Sequence, residues 1–344
     1  MKPLVSILIP AYNAEECIAE TIESALGQTW PHKEIIVVDD GSKDRTLAIA
    51  QRFVSRGVTV ITQKNQGAAA TRNHAYANSH GDFVQWLDAD DLLGPDKIAQ
   101  QMDVVEQGCG SRTLLSSAWG YFIYRPNRAE FASTPLWCDL TPLEWLLRKL
   151  SLNLHMQTGT WLVSRELTEA AGPWNTKLLG DDDGEYFCRV LLASNRVRFV
   201  PEARVFYRRS LGSLSYIGRS NRKMEAQYLS MELNVKYIRS LEDSERVRAA
   251  CVTYLQNWLP NFYPERMDIV EKAQQLASSL GGRLEIPRLS WKYAWIKTLF
   301  GWTAAKRAQL RYNVTKLALL RRWDRAMLAR ENRTLSRRVV GIGL

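Results

Sequence analysis

The stretch IIVVDDGS at residues 35–42 decides the fold class. Four β-branched residues in a row are typical of a strand buried on both faces of a parallel sheet, and two aspartates and a Gly-Ser turn follow directly. The run FVQWLDADD at 83–91 repeats this arrangement, with acids again at the end of the apolar run. Because ligands of open α/β sheets bind at the carboxyl ends of the strands, we predict an acidic ligand site at that edge. A third acidic run at 181–183 is a candidate to join it.

Short apolar runs alternate with amphipathic segments through the first third of the chain. Strands are expected at 4–9, 34–39, 58–62, 83–87 and 113–118. Helices are expected near 14–27, 43–56, 67–79 and 95–107. This alternation predicts an α/β fold with a mostly parallel sheet and helices on both faces. The following residues are less regular, with strand pieces predicted at 119–124, 160–164, 198–200 and 204–207 and a helix near 184–194.

The division of the chain is predicted from this change of pattern. Residues 1–218 form the expected catalytic domain, of which 1–118 bind the ligand and 119–218 build the acceptor part. The pattern turns helical from 222 onward, interrupted at Pro260, Pro264, Gly281, Gly282 and Pro287. We therefore predict a helical C-terminal region over 219–344, with a boundary near 215–220.

Composition excludes several classes of protein. With 344 residues, 46% of them hydrophobic, the chain can bury a full core. Five cysteines without CxxC spacing predict free thiols rather than disulfides or a zinc site, as expected in a reducing cytoplasm. No apolar run approaches the roughly 20 residues of a membrane-spanning helix, and the LVSILIP run at 4–10 is interpreted as the first strand. We expect a cytoplasmic protein.

Five motifs in order carry a family resemblance. PAYNAEE follows the first predicted strand, VDDGS the second, NQGAAATRN the third and LDADD the fourth, and DDGEYFCR comes later at 182–189. Over about residues 3–210 the chain resembles glycosyltransferase family 2, whose members have the GT-A fold and transfer sugars from nucleotide donors. The resemblance implies a Rossmann-like, mostly parallel sheet with flanking helices.

The resemblance implies a donor site at the first three motifs. Tyr12 would give a uracil-type base a flat contact, and Asp40 would accept from its ring N–H; the structural alternatives are a packed turn residue and a turn cap. Pro10 and Ala11 would shape the loop. Asn65, Gly67, Arg72 and Asn73 lie where the third predicted strand gives way to a helix, a position suited to binding anionic groups. Arg72 could equally be an ion-paired brace for the acidic runs.

The LDADD run is the candidate metal site. Asp88 and Asp90 are separated by Ala89 alone, so both carboxylates can approach the same ligand from an extended segment. Their hard oxygen atoms suit Mn²⁺ or Mg²⁺ bridging a diphosphate. By resemblance Asp90 is the metal ligand, and Asp88 contacts the ribose or a metal-bound water. Asp91 would lie behind them.

The third acidic run is expected to supply the general base, since an acceptor hydroxyl must lose its proton as it attacks the sugar. Alignment with the family pattern puts this role on Asp183, with Asp182 next, and Asp181 adds a further acid. The alternative is a set of acids that complement a helix dipole. The family's usual histidine after the last strand is replaced by Ser210. His155 is a candidate acceptor-pocket residue, although a structural role is at least as well supported.

The C-terminal tail has a separate signature. Residues 283–338 contain 15 Lys and Arg against three acids, so the net charge of +10 belongs to this segment. Trp291, Trp295, Leu299 and Trp302 follow helical spacing beside lysines, a pattern typical of an interfacial membrane helix. The candidate partner is an anionic membrane surface contacted through 288–338, at the inner face. Packing on the catalytic domain or on a second subunit, as in an oligomer, is the alternative; nucleic-acid binding is disfavoured because no such fold accompanies the basic run.

Together these observations predict an inverting glycosyltransferase of the hexosyltransferase type. It would move a sugar from a nucleotide diphosphate donor, expected to be UDP-linked, to a hydroxyl of a glycan or lipid-linked acceptor in polysaccharide biosynthesis. A non-catalytic nucleotide-sugar-binding or scaffold protein is the alternative from another class. A sugar nucleotidyltransferase is disfavoured because no glycine-rich phosphate loop follows the first strand.

Overall fold

The computed structural model describes residues 2–210, 220–288 and 290–340, and for 332 and 334–340 the backbone alone. The strands are β1 (Val5–Ala11), β2 (Lys33–Asp39), β3 (Val58–Thr62), β4 (Phe83–Trp86), β5 (Leu92–Leu93), β6 (Thr113–Phe122), β7 (Val163–Ser164) and β8 (Arg196–Arg208). The helices are α1 (Ile18–Leu26), α2 (Thr46–Gln51), α3 (Ala68–Ala77), α4 (Lys97–Glu106), α5 (Pro142–Leu152), α6 (Arg165–Ala171), α7 (Asp182–Ala193), α8 (Asn221–Leu241), α9 (Glu245–Phe262), α10 (Met267–Ser279) and α11 (Ala294–Val340).

The main sheet has the strand order β3-β2-β1-β4-β7. Its first four strands are parallel, and β7 pairs antiparallel with β4 at the edge. Ile35, Ile36, Val37 and Val38 of β2 are all buried, because helices cover both faces of the sheet. The predicted α/β class, with a parallel-rich sheet and a helical C-terminal region, is confirmed.

A second sheet of order β5-β8-β6 differs from the prediction. The sequence places 113–118 in the parallel sheet, but these residues continue into one ten-residue strand, β6, whose partner along its length is β8. Only a single bridge, between Leu115 and Leu162, connects β6 to the segment that leads into β7. The predicted strand pieces at 198–200 and 204–207 merge into β8, and 158–160 form a 3₁₀ turn rather than the start of a strand. Long-range pairing, which local pattern does not encode, decides these differences.

Helices α5 and α6 are absent from the sequence prediction. A signal for α5 is present, since the Thr141 hydroxyl accepts a hydrogen bond from the Glu144 backbone N–H at 3.3 Å and Pro142 occupies the first turn. Pro260, predicted to interrupt the helical region, lies inside α9 near its end. The predicted domain boundary falls largely on 211–219, outside the described residues.

The prediction that Trp302 shares one helical face with Trp291, Trp295 and Leu299 is wrong. Gly301 has φ 83° and ψ 172°, so the helical path breaks there and Trp302 leaves the face of Trp291, Trp295 and Leu299. Trp302 packs edge-on against Tyr263, with 5.2 Å between ring centroids. The other three side chains are 81%, 60% and 69% exposed. Within the described ranges, no helix is long and apolar enough to span a bilayer.

Candidate active site

The loop after β1 contributes the first predicted motif. Pro10 and Ala11 are the last residues of β1, paired with β2, and Tyr12 follows with 45% of its surface exposed. Asn13 fixes the loop: its N–H donates to the Ser42 hydroxyl at 3.0 Å, and its side-chain oxygen accepts from the backbone of residue 43 at 2.8 Å. The Tyr12 ring is therefore presented at the strand ends by a loop tied to the VDDGS turn.

Asp40 at the end of β2 is 3% exposed and already has three donors. Its carboxylate accepts from the backbone N–H groups of Gln66 at 2.8 Å and Gly67 at 2.9 Å, and from the Gln63 amide at 2.8 Å. Asp40 thus fixes the start of α3. Its predicted contact with a nucleotide base stays a prediction.

The neighbouring Asp39 is an acceptor that sequence reasoning missed. It is 1% exposed, and its Oδ2 accepts from the Ser42 N–H and the Thr62 hydroxyl, both at 3.2 Å. Its Oδ1 has no hydrogen-bond partner among the described residues. A buried carboxylate oxygen without a partner is uncommon, and here it lies in the predicted donor region.

The NQGAAATRN loop packs closely on the VDDGS turn. The Asn65 amide donates to the Asp40 carbonyl at 3.0 Å. Gly41 has φ 69°, and a Cβ there would lie 3.0 Å from the Asn65 backbone nitrogen. Gly67, with φ 90°, directly precedes α3. The turn therefore needs glycine at Gly41 for conformation and for space.

Arg72 joins the second and third acidic runs. Its guanidinium donates to Asp88 Oδ1 at 2.8 Å and to Asp182 Oδ2 at 2.6 Å, and it lies 4.3 Å from the Trp174 ring centroid. The Arg72 side chain is 7% exposed. Of the two predicted roles, these contacts favour the ion-paired brace.

The LDADD run lies where β4 ends, and its acids have different surroundings. Burial raises the pKa of Asp90 to about 6, and the charge of Asp88 adds to the rise. No hydrogen bond to the Asp90 carboxylate is found within the described part of the chain, whereas its carbonyl accepts from Arg208 at 2.8 Å. Asp91 is fully buried behind them, as predicted, and accepts from the Arg208 backbone N–H at 2.9 Å. The Ala89 carbonyl accepts from a hydroxyl of α1.

Asp88 and Asp90 fit a metal that arrives with its substrate. No group of three or more His, Cys, Asp or Glu able to hold a metal occurs in the described ranges, so a complete protein cage is not formed there. Mg²⁺ commonly uses one or two carboxylates and completes its shell with substrate phosphates and water. Burial, and after it the charge of Asp88, raise the pKa of Asp90, and a bound cation would favour the charged form of both carboxylates.

The third acidic run begins α7, and two of its three acids are engaged. Asp181, with φ 54°, accepts from Ser230 at 2.6 Å and Gln227 at 3.1 Å, both on α8. Asp182 is held by Arg72, and burial raises its pKa to about 6. No hydrogen bond or ion pair to the Asp183 carboxylate is found among the described residues, so Asp183 is the acid left open to a ligand.

An aromatic wall lies beside these acids. Trp119 contacts Tyr121 and Tyr207 edge-on, with ring centroids 4.8 and 6.1 Å away, and the His155 ring lies 5.2 Å from Trp119. His155 Nε2 is 3.4 Å from the Tyr121 hydroxyl. Partial desolvation lowers the pKa of His155, while the negative charge of Asp183 opposes the shift. This second influence puts His155 and the wall within electrostatic range of Asp183.

Comparison with known proteins identifies the domain. Residues 6–134 match the family model of glycosyl transferase family 2. This part of the chain is therefore similar to glycosyltransferase family 2. The match confirms the resemblance read from the first four motifs, and the fifth motif, at 182–189, lies outside the matched residues.

Curated relatives match this chain over limited stretches. An uncharacterized glycosyltransferase of Rickettsia typhi is 34% identical over 149 residues, 41% of this chain and 46% of that protein. A putative teichuronic acid biosynthesis glycosyltransferase of Bacillus subtilis is 41% identical over 112 residues, 31% of this chain and 44% of that protein. The chain thus spans less than half the length of these relatives.

Solved structures share the fold. Residues 1–349 of TarS from S. aureus superpose with a TM-score of 0.63 at 17% identity, covering 80% of each chain. A mannosyltransferase from Pyrobaculum calidifontis, in complex with GDP-Man and Mn²⁺, gives 0.54 at 18% identity, covering 94% of this chain and 88% of that one. At this identity the likeness shows fold alone, and it confirms the predicted GT-A architecture.

Proposed function

We propose that the chain is an inverting glycosyltransferase that moves a sugar from a nucleotide diphosphate donor to a hydroxyl group of an acceptor. The observation that carries this proposal is the double ion pair of Arg72. Because one guanidinium holds both Asp88 and Asp182, the candidate donor acids and the candidate base belong to one site. Asp183, next to Asp182, is then within the same site with its carboxylate unengaged.

The proposed donor is UDP-linked. A base would lie against the exposed Tyr12 ring, where the buried Asp39 and Asp40 offer acceptors for a ring N–H. TarS has been solved with UDP and with UDP-GlcNAc, and the mannosyltransferase with GDP-Man, so donors of both bases occur on this fold. Asp88 and Asp90 would hold Mn²⁺ or Mg²⁺ against the diphosphate; such an ion, when bound, neutralises charge on the departing nucleotide.

The proposed chemistry is a single displacement. The acceptor oxygen attacks the sugar C1 as the bond from C1 to the diphosphate oxygen breaks, and the hydroxyl proton passes to the Asp183 carboxylate. Attack opposite the leaving group inverts the anomeric configuration. Arg72 already engages Asp182 Oδ2, whereas the Asp183 carboxylate has no hydrogen bond or ion pair among the described residues, and this difference supports Asp183 as the base.

A glycan or lipid-linked glycan is the proposed acceptor. The wall of Trp119, Tyr121, Tyr207 and His155 offers aromatic faces for the C–H faces of a sugar and polar edges for its hydroxyl groups. Its electrostatic proximity to Asp183 supports an acceptor bound with one hydroxyl near the base.

We also propose that the protein docks peripherally on the inner face of a membrane. Trp291, Trp295, Leu299 and Phe300 are each at least 60% exposed, and Lys292 and Lys297 lie among them. Exposed tryptophans interleaved with lysines suit an anionic lipid surface. Trp302, which packs on Tyr263, is not part of this proposed surface.

A donor-hydrolysis screen tests the proposed function. The full chain is incubated with UDP- and GDP-sugars and Mn²⁺ or Mg²⁺, and release of nucleotide is measured with the anomeric configuration of the released sugar by NMR. We expect slow, metal-dependent hydrolysis of one UDP-sugar with inversion. Retention of configuration would contradict the single displacement, and tight nucleotide binding without any turnover, with or without glycan acceptors, would instead support a non-catalytic binding protein.

A further inference from the structure

The C-terminal helix α11 reaches the candidate donor site. Arg321 of this helix donates to the Arg209 carbonyl at 2.8 Å and to the Tyr124 hydroxyl at 2.7 Å. Its guanidinium also lies 3.8 Å from the Glu16 carboxylate, in the loop after β1. Arg321 therefore contacts the ends of β1 and β8 and the segment after β6, all around the acidic runs.

Asp324, one helical turn beyond Arg321, anchors α11 in this place. Its carboxylate accepts from the Tyr124 backbone N–H at 2.8 Å and from Arg125 Nε at 2.7 Å. Arg125 also pairs with Glu331 at 2.7 Å. Side-chain exposures of 9% for Arg125 and 10% for Asp324 make this a largely buried ion pair. Two acids of α11, Asp324 and Glu331, are thus bound to Arg125 of the catalytic domain.

The end of β8 links Arg321 to the predicted metal ligand. The Arg209 carbonyl that holds Arg321 follows directly on Arg208, whose Nε donates to the Asp90 carbonyl at 2.8 Å. Arg208 is 3% exposed and already bound to Glu20 and to two backbone carbonyls, so it has little capacity for a ligand. The acid paired with Arg321 is Glu16 at 3.8 Å; the Glu16 side chain is 61% exposed and the Arg321 side chain 14%, so the acid can move into solvent if another anion replaces it.

The chemistry of Arg321 suits a phosphate group. A guanidinium matches phosphate oxygens with two parallel hydrogen bonds. Ser210, directly after the Arg209 whose carbonyl holds Arg321, carries no charge. A cation near Asp90 could therefore come from α11.

We propose that Arg321 binds the diphosphate of the nucleotide donor, so that α11 completes the donor site. This inference rests on the proposed function. The guanidinium would exchange its weak contact with Glu16 for phosphate oxygens, while the Arg209 carbonyl and the Tyr124 hydroxyl keep it oriented. Asp324 and Arg125 hold the helix that carries it.

Titration calorimetry tests the inference on the full chain, with Mn²⁺ and with UDP, UMP and GDP as probes. The variants are Arg321→Gln, Arg321→Lys and the matched control Arg322→Gln, an exposed arginine on the same helix. We expect Arg321→Gln to weaken UDP binding roughly 10- to 100-fold, as for a lost charge-assisted hydrogen bond. The affinity of Arg321→Gln for UMP should fall clearly less. The UDP affinity of Arg321→Lys should be intermediate, and that of Arg322→Gln should equal that of the unaltered protein.

Trypsin digestion of each variant checks that α11 remains docked. If Arg321→Gln undocks the helix, the affinities of Arg321→Lys are used instead. A larger loss of affinity for UDP than for UMP supports the inference, and an equal loss of affinity for both overturns it. A docked Arg321→Gln protein with normal UDP affinity also overturns it, while leaving the proposed function standing. Failure of the unaltered protein to bind either UDP or GDP would instead overturn the proposed function, and this inference with it.

Discussion

Arg72 decides the arrangement of the acids at the residue scale. One buried guanidinium binds Asp88 and Asp182. It does not bind Asp90 or Asp183. Removing a single partner from a buried ion pair leaves an uncompensated charge, which is costly. The four acids are thus divided into a braced pair and an open pair.

We expect Asp183→Asn to lower the rate of sugar transfer and Asp182→Asn to lower mainly the thermal stability. Asp183→Asn should lower sugar transfer by roughly 10²- to 10⁴-fold, the usual contribution of a general base, with donor affinity nearly unchanged because no described residue depends on this carboxylate. Asp182→Asn removes the negative partner of Arg72 and should lower thermal stability, with a smaller direct effect on transfer. Turnover is measured with donor and acceptor, affinity by calorimetry and stability by thermal unfolding. Near-normal transfer by a folded Asp183→Asn protein would move the base to Asp182.

Candidate site residues that lie within a motif could be predicted from the sequence, and those that lie outside every motif could not. Asp88, Asp90 and Asp183 stand in recognisable order, and the structure brings the runs that contain them together. Arg321 and Ser230 belong to long helices with no motif, and their contacts depend on how those helices pack. The contact of Asp40 with a nucleotide base stays a prediction, and its three observed donors come from a loop whose path only the tertiary structure defines.

At the scale of elements, the C-terminal helices support the acidic edge from two sides. Helix α8 holds Asp181 through Ser230 and Gln227, and its Tyr237 hydroxyl donates to the buried Glu185 of α7 at 2.9 Å. Helix α11 approaches from the other side with Arg321 and Asp324. The predicted helical C-terminal region is therefore confirmed as a set of helices, and the contacts assign it a part in positioning the site.

Asp324→Ala should release α11 from the catalytic domain, because Arg125 and the Tyr124 N–H lose their common acceptor. We expect faster tryptic cleavage within 306–330 and a fall in UDP affinity similar to that of Arg321→Gln. Asp268→Ala is the matched control, since Asp268 forms an exposed ion pair with Arg266 on α10 and is far from the donor site in the chain. Unchanged cleavage and affinity in Asp324→Ala would show that the helix does not depend on this anchor.

The main elements were predictable because β2 and β4 have strong local patterns, whereas β5 and β7 are two-residue strands with no pattern of their own. The second sheet was missed because β6 pairs with β8, more than 70 residues later in the chain. Gly301 was not recognised as a break because isolated glycines are common inside helices. Its positive φ is a property of the packed tail.

At the scale of the whole molecule, the tail presents two different surfaces. The part after Gly301 makes ion pairs with the catalytic domain, and the part before it exposes Trp291 and Trp295. The sequence left two alternatives for the tail. The part after Gly301 suits packing on the catalytic domain, and the part before it suits contact with lipid. If the exposed part contacts lipid, as proposed, the break at Gly301 would let the two parts of this basic segment face different surfaces.

Flotation with liposomes tests the exposed surface. The full chain should bind anionic vesicles more than neutral ones, since basic residues near such a surface contribute up to about 1 kcal/mol each, and salt should weaken this part. A Trp291→Ser, Trp295→Ser double variant should bind much less while retaining UDP affinity. Val54→Ser, which changes a 53% exposed apolar residue of the catalytic domain, is the control. Binding that does not differ between the double variant and the unaltered protein would exclude this surface as the lipid contact.

The anchor between Tyr124 and Asp324 also has a consequence for folding order. The two residues are 200 positions apart, so their contact closes a very long loop, and loop-closure entropy disfavours its early formation. The parallel strands and α1 to α4 can assemble from nearer neighbours while the tail is still being synthesised. If Arg321 binds the diphosphate as proposed, the donor site would gain this cation only after α11 has been synthesised, so a nascent chain would fold its nucleotide pocket before it could hold a nucleotide firmly.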